Sequence, residues 1–248
     1  NFNSMIERLK EQQDKLLITE RYEAWETVAR KLAHEIKNPL TPIQLSIDSL
    51  REKYKNKLKN EGQQFERYLE TINRQIKDIE KLVNEFSNFA RMPRPILKKI
   101  NLVNLINQSL EFVKMTSTSS INFISKNKKT FIHGDEDQLN RVFINLIKNS
   151  EEAFVENYEK DKNFKGIIDI EINNNNDYIN CRLTDNGPGI TDPKKAMTPY
   201  FTTKKKGTGL GLPIVTKIIN EHSGTFSISN KKKGQGIMIN ISLPKINA

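Results

Sequence analysis

The sequence predicts a chain of two parts, an α-helical hairpin followed by an α/β sandwich domain. As far as about residue 90, apolar residues recur at three- and four-residue steps, the period of an amphipathic helix. The segment Arg91-Met-Pro-Arg-Pro95 interrupts this pattern with two prolines and is typical of a hinge. Beyond it, helices are grouped and consecutive strands come late, which favours a mixed sheet with helices on one face.

Two long helices account for the first part. Residues 1–57 are predicted to be mostly helical, with no glycine before Gly62, and a second helix follows at residues 63–90. Pro39 and Pro42 each remove a backbone donor, so we expect local kinks there. One hairpin has little against which to bury its apolar seam, whereas two hairpins paired in a dimer complete a four-helix bundle. The seam residues are Trp25, Val28, Ala29, Leu32, Ala33, Ile36, Leu40, Ile43, Ile47 and Leu50, then Phe65, Leu69, Ile72, Ile76, Ile79, Leu82, Val83, Phe86 and Phe89.

Short strands and helices make up the predicted second part. Helices are expected at residues 102–116, 136–156 and 208–222, and strands at residues 121–126, 166–173, 177–184, 224–230 and 236–243. Cys181 lies in an alternating strand, so we expect it to be buried and inert. We expect His133 in a loop, and His222 at a helix end, where a partial positive charge suits the helix dipole.

Composition narrows the functional classes. The chain has 248 residues, of which 36% are hydrophobic and 28% charged, and its net charge is +10. The single cysteine excludes an internal disulfide and a multi-cysteine metal site. No apolar run approaches the roughly 18 residues of a membrane helix, and no signal peptide is present. The charge allows nucleic acid, anionic lipid, nucleotide or an acidic protein as partner, and because the chain opens with Asn1 we expect it to be part of a longer protein.

The first chemical motif is His34-Glu35-Ile36-Lys37-Asn38-Pro39. Glu35 can hold one imidazole nitrogen of His34 and leave the other nucleophilic, and neutral imidazole is available near pH 7. Asn38 is four residues on, so it shares the His34 face and can position a water there. The alternative is an ordinary surface histidine, and the motif alone leaves both open.

Two glycine-containing loops form the next motifs. Asp185-Asn-Gly-Pro-Gly-Ile190 follows a strand, and its glycines allow close backbone approach, although an ordinary turn has the same composition. In Lys204–Leu212, Gly207, Gly209 and Gly211 let backbone N–H groups approach phosphates at a helix N-terminus. The ending required for a Walker A loop is absent, and no βαβ unit supports a dinucleotide fingerprint.

A stripe of polar residues lies on the predicted helix at 136–156. Asn145, Asn149 and Glu152 are spaced i, i+4, i+7 and therefore share one side of the helix. Their oxygens suit hydrated Mg²⁺, but the same residues would also suit a solvent-facing stripe.

In their order along the chain, these motifs resemble the boxes of bacterial sensor histidine kinases. His34–Pro39 is similar to the H box, Asp135–Ala153 to the N box and Asp185–Ile190 to the G1 box. Pro199–Lys204 is similar to the F box, and Gly207–Leu212 to the G2 box. The resemblance covers residues 25–243, and five ordered motifs make it specific.

The resemblance implies an ATP-dependent protein-histidine kinase. His34 would accept the γ-phosphoryl group as a phosphoramidate, with Glu35 as base or orienting carboxylate. Asn38 matches the position that assists dephosphorylation of the partner regulator. Hsp90-, MutL- and gyrase-like ATPases lack an upstream H box, and a non-catalytic scaffold would more readily have lost His34, Asn149 or Asp185. The positive charge alone would also allow a nucleic-acid binder, but we do not expect nucleic acid as partner.

The resemblance also implies an ATP or ADP site of Bergerat type with Mg²⁺. Asp185 would read the adenine amino group, and Asn149 would hold the metal. Phe201 and Lys204 would belong to a compact, mobile lid, and Lys204 would reach the terminal phosphate. The implied nucleotide-binding residues are Asn145, Lys148, Asn149, Glu152, Asp185, Gly187, Gly189, Ile190, Phe201, Thr203, Lys204, Gly207, Thr208, Gly209, Leu210, Gly211 and Leu212.

The domain organisation follows from the same resemblance. Residues 1–20 would end a HAMP-like signalling helix, residues 21–91 would form the dimerisation and phosphotransfer hairpin, residues 92–97 a hinge linker, and residues 98–248 the catalytic domain. Residues 25–46 are especially similar to NtrY-type nitrogen-regulation kinases. We therefore expect a homodimer, an NtrX-like response regulator as partner, and a cytoplasmic fragment of an inner-membrane protein anchored upstream.

Overall fold

A computed structural model describes most of the chain beyond residue 32. The described residues are Ala33, 35–54, 62–90, 92–115, 117–127, 129–175, 177–199, 201–204, 207–231 and 236–246. The chain divides into two compact units, Asn1–Pro93 and Arg94–Ala248. Among the described residues, none of the helices combines the length and the apolarity needed to cross a bilayer. His34, Trp25 and the predicted HAMP-like end lie outside the described residues.

The first unit is a helical hairpin, as the apolar period predicts. Helix α1 spans residues 35–54 and α2 spans Gly62–Ala90, and α1 is helical through both prolines. Their buried side chains pack between the two helices, and Gln44 Nε2 donates to Asn73 Oδ1 across them at 2.8 Å. The packed residues are Leu40, Ile47, Leu69 and Ile76, with partly buried Phe65. The kinks expected at the prolines stay a prediction.

Other apolar residues of the hairpin are exposed in the single chain. Ile36, Ile43 and Leu50 follow one another at seven-residue steps on α1, and Ile72 and Ile79 do so on α2. Each of these five side chains is between 38% and 45% exposed. The hairpin thus covers one apolar stripe with its own residues and leaves a second one at the surface.

The second unit contains seven strands and four helices among its described residues. The strands are β1 Lys98–Asn101, β2 Ser120–Ser125, β3 Phe131–Gly134, β4 Ile167–Asn174, β5 Tyr178–Asp185, β6 Thr225–Asn230 and β7 Ile237–Pro244. The helices are α3 Leu102–Lys114, α4 Glu136–Lys160, α5 Pro193–Ala196 and α6 Gly211–Glu221.

The main sheet is mixed, which confirms the predicted sandwich of sheet and helices. Its order is β2-β4-β5-β7-β6, with β2 parallel to β4 and every other pair antiparallel. Alternate residues of its inner strands are buried, for example Ile170, Leu183 and Ile239. Helices α3, α4 and α6 each bury one apolar side as well, so sheet and helices enclose one core. Cys181 is part of this core, and burial raises the pKa of its thiol to about 12.

Three short elements were not predicted. Strands β1 and β3 pair antiparallel in a separate two-stranded sheet, and α5 forms a single turn. The expectation that His133 lies in a loop is wrong, because it belongs to β3. Four residues are too few to display a two-residue period. The strands β1 and β3 therefore cannot be predicted from their local sequence and are formed by pairing with each other.

Candidate nucleotide-binding site

Helix α4 presents the polar stripe of the site. Asp135 caps its first turn, where Oδ1 accepts the Gln138 N–H at 3.1 Å. One side of the helix is buried in the core, whereas Asn145 and Asn149 lie half-buried on another side and Glu152 is exposed there. The amide Nδ2 of Asn145 is buried without a hydrogen-bond partner among the described residues. Lys148 is exposed.

Lys204 joins this stripe from a segment more than 50 residues away. Its Nζ lies 2.7 Å from Glu152 Oε2, 3.2 Å from the Asn149 carbonyl oxygen and 3.5 Å from Asn149 Oδ1. An ammonium group is therefore surrounded by three oxygens of α4. Oxygen ligands are those that Mg²⁺ prefers, so these oxygens would fit this cation. The described residues contain no cluster of three or more His, Cys, Asp or Glu that could hold a metal by themselves.

Asp185 ends β5 and is almost fully buried, with 3% exposure. Its Oδ2 accepts the Ser150 hydroxyl at 2.7 Å. Its Oδ1 accepts the N–H groups of Gly187 at 3.0 Å and of Ile237 at 3.1 Å. The carboxylate is thus oriented by donors from α4, from its own loop and from β7.

The end of the β6–β7 hairpin supports the loop after Asp185. Asn230 Oδ1 accepts the Ile190 N–H at 2.8 Å while its Nδ2 donates to the Ile190 carbonyl at 2.7 Å. Lys231 Nζ donates to the Asp185 carbonyl at 3.1 Å. Gly236 has φ +88°, and a Cβ there would come within 1.9 Å of that carbonyl, so only glycine fits.

Sequence reasoning missed these supporting residues. Ser150 lies within the segment similar to the N box but was not singled out there, whereas Asn230, Lys231 and Gly236 lie outside the five boxes, which β6 and β7 follow in the chain. The one available signal was that Ser150 directly follows Asn149. Their role depends on the antiparallel pairing of β5 with β7, which brings the end of the chain beside Asp185.

The last two predicted boxes meet α4 at the start of α6. Gly207 N–H donates to the Lys204 carbonyl at 3.3 Å, and Gly209 has φ +69°. Helix α6 begins at Gly211, where a Cβ would lie 3.3 Å from Asn149 Nδ2, and no side chain among the described residues caps its first turn. Its first N–H groups are therefore available to an anion beside Asn149. Leu210 is buried, Thr208 and Leu212 are half-buried, and Phe201 and Thr203 are exposed.

His222, at the other end of α6, differs from the expectation. Its ring is buried, with Nδ1 2.8 Å from the Ile218 carbonyl and Nε2 accepting the Asp135 N–H at 2.9 Å. This pairing requires the neutral ring, and burial lowers the pKa of His222, although Ile218 and Asp135 oppose the shift. The expected positive charge is therefore wrong, because the ring serves as an acceptor in the core.

Asp135 connects α4 to the start of the unit. Its Oδ2 accepts the Ile96 N–H at 2.9 Å, in addition to the capping bond at Gln138. Burial raises the pKa of Asp135, but the N–H groups of Ile96 and Gln138 outweigh it, so the net shift is downward.

In the first unit, Glu35 and Asn38 are exposed on α1.

Two family models match separate parts of the chain. Residues 24–95 match the model described as His Kinase A (phospho-acceptor) domain. Residues 134–247 match the model described as histidine kinase-, DNA gyrase B-, and HSP90-like ATPase. An NtrY-like sensor histidine kinase of Rickettsia conorii is 41% identical over 243 residues, which is 97% of this chain and 39% of that protein.

The chain belongs to the sensor histidine kinases. The nitrogen regulation protein NtrY of Azorhizobium caulinodans is 36% identical over 92% of this kinase chain and 30% of the relative. The chain thus spans between 30% and 39% of the length of these NtrY-type relatives.

Solved structures share the fold of the kinase chain. The catalytic domain of the histidine kinase ThkA is 29% identical, with a TM-score of 0.52 over 60% of this chain and 95% of that domain. ThkA in complex with the response regulator protein TrrA gives a TM-score of 0.63 at 23% identity, over 95% of this chain and 66% of that one. The second comparison spans hairpin and sandwich together and supports the predicted fold.

Proposed function

We propose that this chain is the ATP-dependent phosphotransfer portion of its protein, autophosphorylating His34 and passing the phosphoryl group to an aspartate of a response regulator. One observation carries the proposal: oxygens of the N box and the lysine of the F box converge at the uncapped start of α6. A helix N-terminus, a cation-binding oxygen set and a mobile cation are the parts that hold a nucleoside triphosphate.

Different residues of the site bind different parts of the nucleotide. Asp185 accepts a hydrogen bond from the adenine amino group, and the N–H groups at Gly211 approach the phosphates. Asn149 holds Mg²⁺, which when bound neutralises charge on the phosphate oxygens. Lys204 leaves Glu152 for the terminal phosphate, a movement favoured because the phosphate carries more negative charge than one carboxylate.

The phosphoacceptor chemistry belongs to α1. Glu35 orients the His34 ring and accepts its proton, so that the free nitrogen attacks the γ-phosphorus in line with the departing ADP oxygen. The nucleotide must be brought to His34, and we assign that movement to linker residues 92–97. Asn38 positions a water for the opposing activity, in which water attacks the phosphorylated aspartate of the regulator and inorganic phosphate leaves.

The hairpin is proposed to dimerise. The exposed residues Ile36, Ile43, Leu50, Ile72 and Ile79 repeat every seven residues, which is the spacing of a seam between packed helices. A second copy of the hairpin would cover this stripe and complete a four-helix bundle.

The partners and location follow from the relatives. ThkA was solved with the regulator TrrA, and we propose a regulator of the same class here, NtrX-like because the relatives are NtrY-type. The relatives are longer than this chain, so we place a membrane anchor and a sensing region upstream of it, with nitrogen regulation as the process.

Labelling with γ-³²P-ATP and Mg²⁺ tests the proposal. The wild-type chain should acquire acid-labile label and pass it to a receiver domain, and His34→Ala should abolish both. The matched control is His133→Ala, which removes an exposed histidine of β3 and should label normally. Undiminished label on the His34→Ala chain would overturn the assignment.

In the same assay, Asn38→Ala should label normally and dephosphorylate the labelled receiver more slowly.

A further inference from the structure

The Asp185 carboxylate accepts three hydrogen bonds from its own protein. A carboxylate offers about four acceptor sites, two on each oxygen. Oδ1 accepts two N–H groups, from Gly187 and Ile237, so both of its sites are used. Among the residues that the structure describes, Oδ2 accepts only the Ser150 hydroxyl, which leaves one acceptor site on that oxygen.

Ser150 is well placed to fix the direction of the remaining site. It lies in α4 with 1% exposure, and its hydroxyl hydrogen is committed to Oδ2 at 2.7 Å. Both oxygens of the planar carboxylate turn together about the Cβ–Cγ bond, so the Ser150 bond to Oδ2 adds a third restraint to the two that hold Oδ1 and limits the turning of the whole group. The Ser150 oxygen itself keeps only lone pairs toward a ligand, so both atoms at this position are acceptors.

We propose that Ser150 is a positioning and specificity-determining residue that presents Oδ2 of Asp185 as the acceptor for the 6-amino group of adenine. The inference rests on the proposed nucleotide binding and names the atom that distinguishes adenine from other bases. A base with a carbonyl at position 6 would meet two acceptors and leave its oxygen unpaired, and the penalty for an unpaired buried group is large.

The experiment measures coupling between Ser150 and the 6-amino group. Binding of ADP and of purine riboside diphosphate, which lacks that group, is measured by calorimetry on the full 248-residue chain. Ser150→Ala should weaken ADP binding about tenfold, as expected for a lost hydrogen bond to a charged group, and change binding of the analogue less than twofold. The variant should therefore lose most of its preference for ADP.

A matched control separates this effect from damage to α4. Ser109 of α3 is 2% exposed, and its hydroxyl donates at 2.6 Å to Oδ1 of Asn140, which lies on α4 like Ser150. Ser109→Ala should change the affinity of both nucleotides less than twofold. If Ser150→Ala does not fold, Ser150→Cys provides the test, because a thiol has nearly the size of the hydroxyl but is a weak donor.

The outcomes are distinct. An equal loss of affinity for ADP and the analogue, or no loss for either, would overturn the positioning role while leaving nucleotide binding intact. Failure of the wild-type chain to bind ADP at all would overturn the proposed function and this inference with it. Loss confined to ADP in the Ser150 variants supports the assignment of Oδ2.

Discussion

At the scale of single residues, two charged groups of the site are held by distant parts of the chain. Asp185 is oriented by donors from α4 and β7, and Lys204 is paired with Glu152 and Asn149. Because Lys204 is half exposed, its ion pair with Glu152 contributes at most about 1 kcal/mol to stability. The ion pair therefore matters because it fixes the position of the Lys204 ammonium group, and it contributes little to the folding free energy.

Substitution of Lys204 is expected to affect chemistry and spare folding. Lys204→Met should slow labelling of His34 by about 100-fold, because removal of one preorganised charge from a transition state costs that order of magnitude. The thermal midpoint should change little. The measurement is the initial rate of acid-labile labelling at saturating ATP, alongside a melting curve.

The control for this substitution is another lysine of the same region. Lys195 is 69% exposed on α5 and lies 3.8 Å from the Asp192 carboxylate. Lys195→Met should label at close to the wild-type rate. Equal rates for the Lys204 and Lys195 variants would show that Lys204 does not reach the transferring phosphate.

At the scale of elements, His222 ties α6 to the beginning of α4. The ring accepts the Asp135 N–H, and the Asp135 carboxylate in turn accepts the Ile96 N–H. Three segments that are far apart in the sequence are therefore linked in series through His222 and Asp135. Protonation of the ring would remove its acceptor and place a charge in the core.

The stability of the second unit should consequently depend on pH. The folded-state pKa of His222 lies below its ordinary value of 6.5, so the folded state binds fewer protons than the unfolded state between the two values. The stabilisation is full above about pH 6.5 and is lost as the pH falls through the lowered pKa. Denaturation by urea between pH 7.5 and 5 should show the decline.

Two histidine variants decide whether His222 is responsible. His222→Gln removes the titrating ring and should flatten the profile in this range, at some cost in stability at pH 7.5. His133→Gln, which removes an exposed ring of β3, should keep the wild-type decline. A decline of wild-type size in His222→Gln would assign the effect to other groups. Asp135 titrates in a lower range, because its pKa is shifted downward.

At the scale of the whole molecule, the chain consists of two units that differ in how completely they bury their apolar residues. The sandwich encloses its core within one chain, whereas the hairpin leaves a stripe exposed every seven residues. Burial of apolar surface contributes about 25 cal/mol per Å², so such a stripe favours association. The proposed dimer is the arrangement that satisfies this requirement with a second identical hairpin.

A charge placed in the stripe should separate the dimer. Ile72→Glu should convert a dimer into a monomer at micromolar concentration, measured by light scattering coupled to size exclusion. Lys81→Glu is the control, because nine residues along a helix place it opposite Ile72, on an exposed position. A monomeric wild-type chain, or a dimeric Ile72→Glu variant, would contradict this interface.

From the residues alone, the two-part architecture, the helical hairpin, the mixed sheet and the order of the motifs could be predicted. These features depend on period and spacing, which are local properties of the sequence. The folded structure was needed to find that His222 is a neutral acceptor, that β1 pairs with β3, and that Ser150, Asn230 and Lys231 support the loop at Asp185. Each of these rests on a contact between residues more than 30 positions apart. A local sequence pattern does not specify which distant segment packs against it.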